Sequence, residues 1–437
     1  MRRKAAIVVA LVGFVLAAML GASGTSAAPE RSTATNLTIW VGWSARELSE
    51  FKKVVAEYDQ KNADVTVKVV GAINDDKITA ALRSGNVPDV VSSFTSQNVG
   101  VYCPSGGWID LAPLLKRDKI NTDIFPATTR YYTQYGGKRC ALPLLADAYG
   151  FYYNKDLFKK AGLTRPPRTL EELTTYAKKL TTRKADGSLD VVGYNPFIGF
   201  YQNSIGAYQP LVGAKYFDPA GRSSLSKDPG WQRLLRWQKS LVDYYGHDKL
   251  VKWQTGAGDE WSAPHAFGRG KLAMMIDGEW RVAFLAADHK GLKYGTAPMP
   301  AGSKSQYGAG YINGTIIGIP KGGDNQDAAW NLVKYLTTNT HALAKFSNGI
   351  RNVPSTAAAA KSKELKPDPN FATFTKIFVH PRSATIPVTP LGSAHLETFT
   401  SFLAKWQAGK VKDLKAGLGE VDKQIDAKLK QSGGGVP

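Results

Sequence analysis

Cysteine is scarce in this chain: there are two, Cys103 and Cys140, in 437 residues. Neither lies near the N-terminus, which excludes the lipidated N-terminal cysteine that tethers many exported proteins. Partner residues for a metal site or a reactive thiol are missing around both, so one disulfide is the expected use. In the chain-entropy treatment, closing that loop contributes about 3–4 kcal/mol. Histidine is scarce too: six residues, at 247, 265, 289, 341, 380 and 395, far apart in sequence, which argues against a metal centre or a triad. There is no G-x-S-x-G beyond the N-terminal segment, no H-E-x-x-H and no phosphate-cradling G-x-x-x-x-G-K. Neither catalysis nor a metal nor a cofactor is therefore expected. Internal repeats are absent. Although the formal net charge is +20, the cations beyond the first four residues never run longer than pairs such as Lys159-Lys160, and no nucleic-acid motif accompanies them. A basic surface facing an anionic cell envelope is the expected meaning of the charge.

Only one long apolar run exists, and it opens the protein: Arg2, Arg3 and Lys4, an uncharged stretch from Ala5 to Ala22, then small residues through Ala28. Basic head, apolar middle and small-residue tail are the layout of a secretory signal peptide over 1–28. An uncleaved anchor is the alternative, since the run approaches a membrane span in length. Residues 29–36 read as a polar linker. The chain as a whole is 43% hydrophobic and 21% charged, a balance of soluble, folded protein, and its length suits two lobes rather than one core.

Leu37 to Val41 reads as a buried strand, followed by Ser44-x-x-Glu47, a capping box opening a helix. Leu48, Phe51, Val54, Val55 and Tyr58 give that helix one apolar face. Val65, Val67 and Val69 alternate as a strand does. A helix over 75–84 stops at Gly85, and Val90 to Phe94 is a third strand. Strand, helix, strand, helix, strand predicts a parallel α/β sheet with right-handed crossovers. Ligands in such sheets bind beyond the carboxyl ends of the strands, which puts Trp43, Ser44 and Ser93 on one rim. Longer helices follow from Tyr152: one behind the capping box Thr169-x-x-Glu172, one over Trp231 to Tyr245, one over 328–336 and one spanning Leu414 to Leu429. Residues 432–437 read as a frayed tail. Two acidic pairs, Asp259-Glu260 and Asp277/Glu279, could serve a glycosidase as acid and base; paired carboxylates in loops are more often solvated or salt-bridged.

Several segments, loose singly but ordered along residues 36–420, resemble the extracellular solute-binding proteins that include the maltose-binding proteins. They are Leu37 to Trp43, the G-x-x-P-D of Gly85 to Asp89, the W-x-D-L of Trp108 to Leu111, and Leu142-Pro143 leading into Tyr149 to Leu157. Further on come Phe267 to Met275 with Gly278-Glu279-Trp280, Gly308 to Gly310 with Ile317 to Pro320, and Gly349 to Ser355. The resemblance implies a two-lobe, type II periplasmic-binding-protein-like α/β fold. Lobe one is expected at 36–147 plus 298–338, and lobe two at 148–297 plus 339–431. Ligand would sit in the interlobe cleft and the lobes would bend shut over it. The expected partners are a small carbohydrate and the permease subunits of an ABC importer, with the chain a monomer at the outer face of the cytoplasmic membrane.

Sugars offer apolar C–H faces for aromatic rings and hydroxyls for carboxylates, amides and guanidinium groups. With 10 Trp and 19 Tyr, the chain is well supplied. By the resemblance, Trp280 matches a recurrent stacking Trp, Asp147 and Tyr149 lie at an interlobe crossing, and Gly310 and Tyr311 lie where backbone approaches ligand. Trp261 and Asp259 share a Gly-rich loop, and Arg351 could pair with vicinal hydroxyls or a carboxylate. Trp231, Trp237 and Trp330 fall within helices and are expected to pack.

Overall fold

The computed structural model describes residues 34–433 and 436. The expected signal peptide and most of the linker lie outside the described residues, as does half of the tail. The first strand begins at Thr35, inside the expected linker.

Among the described residues, twelve strands form two sheets. In the first, β1 (Thr35–Trp40) lies between β2 (Val65–Val70) and β3 (Val90–Ser93), parallel to both. This is the arrangement the strand–helix alternation predicts. Beside β3 come β11 (Ile316–Gly318) and then β4 (Leu142–Pro143), with β11 antiparallel to its neighbours. The helix Ala45–Lys61 buries Phe51, Val54, Val55 and Tyr58, the stripe read from sequence. The helix Asp75–Ser84 is capped by Asn74, whose side chain accepts from Lys77 N, and stops at Gly85 in the left-handed conformation at φ +75°. A residue with a Cβ is strained there, which is why glycine punctuates this helix.

The second sheet is built on β5 (Leu145–Asn154). Its neighbours are β8 (Leu272–Gly278), β9 (Tyr294–Ala297), β10 (Ile312–Asn313) and β12 (Val353–Pro354), all antiparallel to it. Beyond β8 lie β7 (Leu189–Tyr194), parallel to it, and β6 (Thr182–Arg183). Half of the capping box at Thr169 forms: its hydroxyl accepts from Glu172 N at 3.2 Å, while the Glu172 carboxylate accepts from Arg168 N at 2.7 Å instead of from Thr169 N.

A compact core under the first sheet gathers Val41, Trp43, Phe51, Trp330 and Phe346. The sheet's other face, with Ile73, Tyr102 and Trp108, runs continuously into the larger core around the second sheet. Cys103 and Cys140 form a disulfide with Cα atoms 5.5 Å apart. Trp231 and Trp330 are fully buried, and Trp237 packs partly buried. Two elements depart from expectation. The strand β10, within the segment expected in lobe one, pairs in the second sheet. The helix Thr340–Ile350 puts Ala342, Phe346 and Ile350 into the first sheet's core, although its sequence position suggested the other lobe. Its apolar face matches that of the helix Ala45–Lys61, and burial there outweighs nearness in sequence.

The chain passes between the sheets at three adjacent places, after β4, between β10 and β11, and before β12. Residues 145–146 of β5 pair with β12 and residues 147–148 with β10. Thr315 O accepts from Leu144 N at 2.8 Å, joining two of the crossings directly.

Candidate ligand-binding cleft

Beside these crossings lies a cavity of about 420 Å³, bounded by the ends of β1 and β3 on one side and by β5, β8 and the 255–266 loop on the other. Six residues singled out from sequence converge on it: Trp43, Ser44, Asp147, Tyr149, Trp261 and Trp280. Five that were also singled out do not line it. Ser93 is buried and donates through Oγ to Asp75, holding the turn after β3. Asp259 caps its own loop, Oδ1 accepting from Trp261 N at 2.9 Å. Gly310 is packed so closely that an added Cβ would meet Ile377 Cγ2 at 2.5 Å and Tyr149 O at 2.9 Å. Tyr311 is buried behind Tyr149, ring centroids 4.8 Å apart. Arg351 caps the helix Thr340–Ile350 in the left-handed region and donates through Nη1 to Lys366 O at 2.9 Å. These five support the cleft from behind or shape its loops.

The aromatic residues differ in how much face they leave free. Trp43 is wedged among Phe346 at 4.8 Å, Phe51 at 5.2 Å and Phe94 at 5.5 Å. Trp280 stands edge-on to Tyr149 at 5.5 Å and is 8% exposed, whereas Trp261, 6.4 Å from Trp280, is 51% exposed. Phe94, 42% exposed, faces in from the first sheet. The free stacking surfaces are therefore those of Trp261 and Phe94, with Trp280 and Trp43 as their backing.

Polar groups complete the lining: Ser44, Glu47, Asp147, Gln202, Asn313, Thr315 and Asn352. Of these, Glu47, Gln202, Asn313, Thr315 and Asn352 are not among the residues the sequence points to, whereas Phe94 lies in the stretch Ser92 to Thr95 that the strand pattern puts at the rim. The sequence pattern makes Glu47 half of a capping box. Ser44 does occupy the N-cap position, but its side chain makes no cap bond, and Ala45 next to it takes φ +43°. That backbone turn leaves both side chains free for the cavity. The signal that could have found Glu47 is its place one helical turn after Trp43 and Ser44.

Burial dominates the electrostatics. It raises Glu47, against the opposing pull of Arg46 and Arg281. It raises Asp147 to about 7 despite the hydrogen bond from Asn352 Nδ2 at 2.8 Å, with the charge of Glu47 adding to the rise. Glu260, which accepts from Gln202, is likewise pushed up to about 7 by burial and by Asp277. Beneath the cleft, Arg281 donates through Nε to Asp277 at 2.6 Å. Glu279 is fully buried and accepts two backbone N–H groups, from Ala148 at 2.8 Å and Val353 at 3.1 Å. None of the described lining residues is Lys or Arg. Within a chain of net charge +20, the cleft is acidic.

The sequence profile of the bacterial extracellular solute-binding proteins matches residues 53–373. A probable ABC transporter-binding protein of Deinococcus radiodurans is 26% identical over 405 residues, covering 88% of this chain and 91% of the relative. A maltooligosaccharide ABC transporter solute-binding lipoprotein of Streptococcus pneumoniae is 27% identical, covering 79% of this chain and 82% of the relative. Among solved structures, that of CpMnBP1 with mannotriose bound superposes with a TM-score of 0.79 at 26% identity, covering 89% of this chain and 99% of that one. With the matched profile spanning most of its length and two sheets framing an aromatic-walled cleft beside three adjacent crossings, this chain belongs to the bacterial extracellular solute-binding proteins.

Proposed function

We propose that the protein captures a neutral carbohydrate in this cleft and delivers it, chemically unchanged, to the permease of an ABC importer. The observation that carries the reading is the lining itself: free aromatic faces on Trp261 and Phe94, set among amides, hydroxyls and two carboxylates, in a space of about 420 Å³. Flat rings suit the apolar faces of a pyranose, and the acceptors and donors suit its hydroxyls. Such a volume falls within the usual range for small-molecule sites. The mannotriose bound by CpMnBP1 and the maltooligosaccharide named for the pneumococcal relative are consistent with this class of guest.

An acidic guest is disfavoured by the absence of any cation among the described lining residues, beside Glu47 and Asp147. Hydrolysis is disfavoured because Asp277 is tied to Arg281 and Glu279 to two backbone N–H groups, which leaves neither free to act as acid or base. The two sheets are taken as the cores of two lobes, and the chain as a monomer acting outside the cytoplasmic membrane. The test is a thermal-shift screen over mono-, di- and oligosaccharides, mannotriose and maltotriose among them, since a guest selective for the folded form raises its melting point. Hits are then incubated with the protein and assayed for products. No stabilising sugar, or conversion of one, would overturn the reading.

A further inference from the structure

A second cavity, of about 330 Å³, lies away from the cleft on the body of the second sheet. It is bounded by the start of β7, the helix His247–Gln254 with the residues just after it, and the turn before β8. Five of its eleven lining residues are cations: Lys184, Lys249, Lys252, Arg269 and Lys271. The chain as a whole has 56 Lys and Arg in 437 residues, so an even scatter of that charge would place only about one or two in such a set.

Nearby acids offset this charge only in part: Asp190 is the one carboxylate among the described lining residues, and Asp186 lies close enough to feel Lys184 and Lys252. Lys271 pairs with Asp190 at 2.7 Å, and Arg269 donates through Nη2 to Gly256 O at 2.5 Å. Asp186 accepts both the backbone N–H and the hydroxyl of Ser188, and Asp248 contacts His247 at 2.9 Å. Lys184, Lys249 and Lys252 are exposed and make no ion pair among the described residues. Like charges gathered around one hollow repel each other, and an anion seated between them relieves that repulsion. Lysine ammonium groups and an arginine fork are the usual donors to phosphate oxygens. Trp253 and Leu189 supply an apolar wall, and Trp253 is fixed by its Nε1 donating to Asp190 O at 3.3 Å.

We infer that this cavity binds an anion carrying two or more phosphate groups, held by Lys184, Lys249 and Lys252 with Arg269 and Lys271 beside them. The site is independent of the sugar cleft. Its phosphates can come from a soluble oligophosphate or from lipid headgroups at the membrane surface, and two arms of one experiment separate these sources. Tripolyphosphate is titrated calorimetrically into the purified chain at low ionic strength. Sedimentation with vesicles containing phosphatidylglycerol forms the second arm. Saturable binding is expected, at least tenfold weaker in the triple variant Lys184→Gln/Lys249→Gln/Lys252→Gln. A control variant, Lys52→Gln/Lys361→Gln/Lys415→Gln, removes equal charge elsewhere and should change affinity less than twofold. Loss confined to the tripolyphosphate arm assigns a soluble ligand, and a parallel loss of vesicle binding assigns headgroups. All six side chains are exposed, so folding should be unaffected, and a melting curve of each variant checks this. No saturable binding, or equal losses in the two variants, overturns the inference, whatever the sugar screen gives.

Discussion

Trp261 and Trp280 are neighbours at 6.4 Å, yet one is half exposed and the other nearly buried. Their truncations should therefore fail differently. Trp261→Ala is expected to weaken sugar binding at least tenfold with little change in melting point. Trp280→Ala should lose as much affinity and in addition about 3 kcal/mol of stability, as core aromatic truncations do; calorimetry with a parallel denaturant titration separates the two. The resemblance makes Trp280 a stacking residue; its contacts with Tyr149 and Trp261 give its loss a structural cost as well. The raised carboxylates give a pH signature. Asp147 goes from 3.8 to about 7 and Glu260 from 4.5 to about 7, burial being the first cause in both. Between those limits the folded protein holds protons that the unfolded chain has released, so stability falls as pH rises. Glu172, lowered to about 2 by Arg165, works in the opposite sense but only below its ordinary value of 4.5. His265 and His395, lowered by burial from 6.5 to about 2 and about 4, also work in the opposite sense, up to about pH 6.5. The denaturation midpoint should therefore drop between about pH 6.5 and pH 8, and Asp147→Asn should flatten that slope. A midpoint that rises over this range would contradict the burial argument.

Among the elements, the one most exposed to a single change is the junction held by Glu279. Its two oxygens accept from Ala148 N and Val353 N, on two of the strands that cross between the sheets. Glutamine keeps one acceptor and turns a donor toward the other N–H. Glu279→Gln should cost about 1–3 kcal/mol, the penalty of an unsatisfied buried group, read as a lower denaturation midpoint at constant slope. The sequence made the local elements legible. Alternating valines, the Asn74-to-Gly85 helix and the stripe of Leu414 to Leu429 each declare themselves within a dozen or so residues. It did not make legible where the helix Thr340–Ile350 packs, because its partner, Ala45–Lys61, is some three hundred residues away. The site followed the same divide. Trp43, Asp147, Tyr149, Trp261 and Trp280 could be reached through motif and rim position. Glu47 was hidden behind a capping pattern, while Gln202, Asn313 and Asn352 reach the cleft only through long-range folding. Arg351 lies outside the lining for a local reason: it closes a helix at φ +60° and its side chain donates to Lys366 O.

For the whole molecule, the two-lobe reading predicts a change of shape. A guest that touches both sides of the cleft favours the state in which they are nearer, so the radius of gyration in solution scattering should fall when a stabilising sugar is added. An unchanged scattering curve at saturating sugar would show that the two bodies do not move as proposed. The three crossings also limit how they can move. β10 and β12 both pair with residues 145–148 of β5 within the second sheet, so the crossings leave one braced edge close together, and Leu144 N donating to Thr315 O ties two of them. On the two-lobe reading the arrangement resembles a door leaf hung on three knuckles around a single pin, and the leaf would close along much the same arc whatever stands in the doorway. Changing the wall residues could then alter which guest is accepted while leaving the closed outline, the part a membrane partner meets, the same.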